Sequence, residues 1–114
     1  MEITHREESR RFEHGTACTA YEYASKEPSL NIARVELHGR FPATGMMRNT
    51  KVKEIVYVEQ GQGTVTINNV ANSIQQGDVI LYVENEEVFW EGKLILIIAC
   101  TPAWTPAQHE MMGG

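Results

Sequence analysis

Glu54 is the residue on which any chemistry in this chain would be built. It heads the run Glu-Ile-Val-Tyr-Val, residues 54 to 58. Side chains in a strand alternate between faces, so an inward Glu54 shares its face with Val56 and Val58. A carboxyl among apolar groups has its pKa raised by burial, and a neighbouring cation lowers it. Arg34, Arg48 and His38 are the candidate partners. Two readings follow. In one, Glu54 lies near an opening, solvated or paired with an arginine. In the other it binds or deprotonates a ligand. Asn49, Arg34 and Tyr21 could supply further polar contacts. For acid–base work, His38 with Glu54 or a tyrosine is the best available pair.

The elements that must position these groups read as strands. Thr16 to Ser25 carries Thr, Tyr and Cys, and Lys26-Glu-Pro-Ser breaks it. Tyr21 and Tyr23 share a face, most simply as sheet cover. Leu30 to Phe41 is a strand with Ile32, Arg34, Glu36 and His38 on one face and Asn31, Ala33, Val35 and Leu37 on the other. Which face is inward is left open: the first is a solvated ion-paired surface or a polar strip lining a cavity. Phe41-Pro-Ala-Thr-Gly45 is a turn. Lys53 to Gly63 reads as a strand closing on a glycine turn, with a second strand from Thr64 to Ile67. Asn68-Asn69 is a hairpin reversal, since Asn tolerates positive φ. Val70 to Ile74 and Val79 to Val83 are short strands, separated by Gln75-Gln-Gly-Asp78. Glu84-Asn-Glu-Glu87 is a charged reversal, and Glu91-Gly-Lys93 a turn after Val88 to Trp90. Leu94 to Cys100 is apolar on both faces and calls for cover on both. Thr105-Pro-Ala-Gln108 has a helix-start pattern, which predicts a helix of one to two turns through Met112. Trp104 would pack against the body or cover an opening.

The 114 residues suffice for one domain, divided as a polar segment 1–15, a barrel 16–101 and a tail 102–114. About eight to ten short strands with turns every ~8–12 residues indicate an all-β sandwich or barrel. The net charge of −5 argues against a general electrostatic grip on nucleic acid or an anionic membrane. The longest apolar run, seven residues, falls far short of the ~20 of a spanning helix. The charged N-terminus does not read as a signal peptide, so a cytoplasmic location is expected. Cys18 and Cys100 form no C-x-x-C pair and read as buried reduced thiols. His5 and His14 read as solvated.

Glu54, six residues, Gly61, then Gly63-Thr-Val resembles the second half of the first cupin motif. Gly77-Asp78-Val79 resembles the opening of the second. The resemblance spans about residues 30 to 100 and implies a double-stranded β-helix, or jelly-roll barrel. The short C-terminal helix would follow it. The metal ligands do not carry over. The His-x-His positions fall on Met47 and Asn49, or on Arg48 and Thr50, and the second-motif histidine position is Val88. Of three histidines and one glutamate only Glu54 remains, and a carboxylate, an amide and a thioether suit a divalent ion poorly.

The sequence therefore predicts a barrel with no metal or other cofactor at the usual place. It would bind a small polar molecule of sugar or organic-acid class through Arg34, His38, Met47, Asn49, Glu54 and Val88. The alternative implied by the resemblance is an enzyme centred on His38, Asn49 and Glu54: a metal-dependent dioxygenase or decarboxylase, or a sugar isomerase or epimerase. A third possibility is a partner-binding protein that uses its sheet face or tail. Ile55 and Tyr57 opposite Glu54, with Leu94 to Cys100, predict a homodimer formed by sheet packing.

Overall fold

A computed structural model describes residues 1–113, so the last residue of the predicted tail lies outside the described residues. Nine strands form one continuous, curled hydrogen-bonded sheet. In chain order they are β1 Arg10–His14, β2 Cys18–Tyr23, β3 Asn31–Phe41, β4 Met46–Asn49, β5 Lys53–Ile67, β6 Val70–Gln75, β7 Val79–Tyr82, β8 Val88–Thr101 and β9 His109–Met112. The all-β barrel expected from the strand spacing is the fold that forms.

The two longest strands are its spine. β5 pairs with β8 antiparallel from Lys53↔Thr101 to Ile67↔Val88. β8 also pairs with β3 on its other edge, from Asn31↔Cys100 to Phe41↔Trp90. β1 and β2 extend the sheet beyond β3, while β6 and β7 extend it beyond β5. Inside lie Leu37, Val56, Val58, Val65, Leu94 and Leu96, all nearly inaccessible. Their alternation with exposed neighbours along β5 follows the two-residue period.

Two predicted turns are not turns. Gly61 and Gly63 lie inside β5 and Gly92 inside β8, and the strands pass one another there. A β-carbon on Gly61 would overlap the Lys93 carbonyl oxygen, and one on Gly63 the Glu91 carbonyl oxygen. Gly61 also has φ +94°. These glycines serve close approach and curvature, with a bulge between Val58 and Gln60 adding to the bend. The Asn68-Asn69 reversal does form, with φ of 49° and 66°.

The predicted C-terminal helix is also corrected. Only a single 3-10 turn forms, Pro106–Gln108, and the chain then extends as β9 against β4. Proline starts the turn as expected, but the pairing Asn49↔His109 through Met46↔Met112 offers the backbone a ladder that one short helix cannot match. Within the first 15 residues, Arg10–His14 is the strand β1. No helix among the described residues is long and apolar enough to cross a membrane.

Candidate functional site

The barrel encloses a cavity of about 340 Å³, within the usual range for small-molecule pockets. Its walls are apolar: Ala20, Ala33, Val35 and Leu37 from β2 and β3, Leu96 and Ile98 from β8, with Phe41, Met47 and Trp90. Asn31, Ala33, Val35 and Leu37 thus settle the facing of β3. Its other face, with Arg34 and His38, lies away from the cavity.

Glu54 reaches the cavity from β5 and is 7% exposed. The register places Tyr82 and Cys100 on either side of it. Tyr82 donates its hydroxyl to Glu54 Oε2, and Asn49 Nδ2 donates to Oε1 at 3.1 Å. Burial raises the Glu54 pKa, while the donors Tyr82, Asn49 and Cys100 pull it the other way. Burial prevails: among the described residues no arginine or other cation pairs with this carboxyl, so the expected solvated or arginine-paired Glu54 is not what forms. Tyr82 is pushed well above its ordinary value, first by burial and then by Glu54.

Asn49 is the other fixed point. Its Oδ1 accepts from Trp104 Nε1 at 3.1 Å and from Gln108 Nε2 at 2.9 Å, and lies 3.2 Å from His109 Nδ1. Three side chains from the C-terminal segment therefore converge on one amide oxygen. Gln108 is further tied down: its carbonyl accepts from the Thr50 amide and hydroxyl, and its Oε1 from the Lys51 amide. The segment brings Trp104, Pro106, His109 and Met111 to the cavity. His14 and Glu22 reach it from β1 and β2.

Of the six predicted site residues, the structure brings Met47, Asn49 and Glu54 together. Val88 is buried in the core and does not line the cavity. Arg34 lies on the outer face, bonded to Glu36 at 2.8 Å and near Glu59 at 3.5 Å. His38 is exposed. An acid–base pair of His38 with Glu54 is thus not assembled, because odd and even positions of β3 face opposite ways. Arg48 borders the cavity but pairs with Glu110 at 2.8 Å. Tyr82, Trp104, His109 and His14 are cavity residues that the sequence reading did not place there. For Trp104 the idea of covering an opening was the one available signal.

The residues present do not fit a divalent ion. Both Glu54 oxygens are engaged by donors, and Val88 has none of the needed chemistry. Among the described residues, no three His, Cys, Asp or Glu side chains are grouped so that they could hold a metal.

No protein-family model matches the chain, and no curated protein matches it. Solved structures do. A variant of Streptomyces PAC13 with uridine is 23% identical, with a TM-score of 0.88 over 98% of this chain and 90% of that one. Pac13 is described as a nucleoside dehydratase. KdgF from Halomonas sp. is 18% identical, with a TM-score of 0.71 over 90% of this chain and 94% of that one. An RmlC-like cupin from Shewanella frigidimarina is 16% identical, with a TM-score of 0.73 over 90% and 92%. Likeness at this identity is likeness of fold.

Proposed function

We propose that this single cupin barrel binds a small polar molecule of the nucleoside or sugar class in its cavity, without a resident metal. The observation that carries the reading is an apolar cavity ending on the buried Glu54–Asn49–Tyr82 cluster. Apolar walls hold the body of a ligand, and a few fixed polar groups set its orientation. A hydroxyl or ring N–H of the ligand would donate to the carboxyl, and a carbonyl would meet it in its protonated form. Trp104 and Phe41 offer flat surfaces to a planar ring. The presence of uridine with a barrel of the same fold supports the nucleoside class. Absence of a metal is supported by the donor set at the usual place. Elemental analysis of protein purified without chelator would overturn that part if it found a metal near one per chain.

The test is isothermal titration of uridine, other ribonucleosides, pentoses and sugar acids into the wild type and Glu54→Ala. We expect a member of the panel to bind the wild type and to lose about tenfold or more in affinity to the variant, since a buried polar contact is worth about 1–3 kcal/mol. Equal binding to both proteins would remove Glu54 from the site.

We propose in addition that two chains pair through the outer sheet face. Ile32, Ile55, Tyr57, Val79 and Leu81 are each 45–61% exposed, and register makes them neighbours. A contiguous apolar patch of this kind marks an interaction surface.

A further inference from the structure

The uncompensated charge at the cavity is negative. Among the described residues that line it, one is an arginine or lysine, Arg48, and two are glutamates, Glu22 and Glu54. Side chains alternate along β4, so Met47 and Asn49 share one face and Arg48 takes the other. Glu110 stands opposite Arg48 on β9, and its Oε1 accepts from Arg48 Nε at 2.8 Å. That guanidinium is therefore already matched. Arg40 donates to the carbonyls of Pro42 and Gly45 and lies 4.0 Å from the centre of the Phe89 ring. Arg10, opposite Glu22 in the β1–β2 ladder, is exposed and does not border the cavity. Glu22 itself faces inward with Cys18 and Ala20, on the same face of β2. Its charge is felt at Cys100, whose thiol donates to Glu54. Both carboxyl groups therefore act on the same end of the cavity. The remaining basic groups are His14 and His109, and burial, then His14, lowers the pKa of His109.

We propose that the cavity selects its ligand by charge: it admits a neutral nucleoside or sugar and excludes one that carries a carboxylate or phosphate, and Glu22 enforces the exclusion. The inference rests on the ligand-binding reading above. An anion inside would give up its water to apolar walls and meet no unmatched arginine or lysine in exchange. Glu22 would repel it across a cavity whose walls screen little. Glu54 adds a second repulsion when ionised and no compensating charge when protonated. A neutral ligand incurs none of these penalties. Selectivity of this kind comes from a repulsive element rather than from tighter contacts to the favoured ligand. Of the sugar and organic-acid classes expected from the sequence, it leaves the first.

The probes are two pairs matched in bulk, glucuronamide with glucuronate and uridine 5′-carboxamide with uridine 5′-carboxylate. They are titrated at about pH 8 and low salt, where the acids are ionised and an ordinary histidine is neutral. Within a pair the affinity ratio isolates charge. Wild type is expected to bind an amide about tenfold or more tightly than its acid, with about 0.5 M salt narrowing the ratio. Glu22→Lys should cut the ratio about tenfold or reverse it. Because the ratio is taken within one protein, a general loss of affinity in the variant cancels. Acid and amide bound equally by the wild type, or a ratio that Glu22→Lys leaves unchanged, would overturn the proposal. Failure of both amides to bind would overturn it too; if uridine and ribose also fail, the ligand reading falls with it.

Discussion

Asn49 divides its amide between two duties. Its nitrogen supports Glu54, and its oxygen gathers Trp104, Gln108 and His109. Asn49→Ala would strand several buried donors, each costing about 1–3 kcal/mol. We expect a loss of roughly 2–4 kcal/mol in urea unfolding and faster proteolysis of the C-terminal segment. Glu54 gives a pH signature. A carboxyl whose folded pKa lies above its unfolded one favours folding in its protonated form. That contribution is complete below the ordinary value of 4.5 and is lost as pH climbs through the raised value. Glu54→Gln removes it. The stability of the variant relative to wild type should therefore rise with pH across that window, by up to about 1.4 kcal/mol per unit. A difference that stays flat between about pH 4 and pH 8 would show that Glu54 is not perturbed by burial.

At the scale of elements, the crossing of β5 and β8 depends on positions without side chains. Gly61→Ala would drive a methyl into the Lys93 carbonyl, whereas Gly77, with the same φ of +94°, has nothing within 4 Å of the added carbon. Thermal unfolding should separate them: about 1 kcal/mol for Gly77→Ala from its φ alone, and about 3 kcal/mol or more for Gly61→Ala, which adds the overlap. Equal costs would mean that the close approach is not what requires Gly61. These glycines also show where sequence reading stops. Alternation along Ile55–Val58 and the Asn68-Asn69 signal are local and were legible, as was the shared face of Glu54, Val56 and Val58; which way that face points was left open. Gly61-Gln-Gly63 and Gly92 looked like turns because the strand each one accommodates is some thirty residues away. Nothing local showed that residues 104–111 return to the cavity wall. His109 was therefore invisible as a site residue and Trp104 was legible only as a cover, while His38 stood out as a histidine on a strand whose facing the sequence left open.

For the whole molecule, the two faces of the sheet divide the work. The inner face holds the cavity; the outer face exposes Ile55, Tyr57, Val79 and Leu81, edged by the Arg34–Glu36–Glu59 charges. Light scattering at micromolar concentration should give twice the mass of the chain, and Leu81→Lys should give the monomer with the barrel intact. A monomeric wild type would contradict the pairing. The central claim concerns the inner face: the cavity is a ligand site read by Glu54, Asn49 and Tyr82. A crystal structure after soaking with uridine, ribose and a sugar acid in turn tests it most directly. The account predicts one of them bound inside the barrel with a polar atom hydrogen-bonded to Glu54; only water in the cavity after every soak would contradict it.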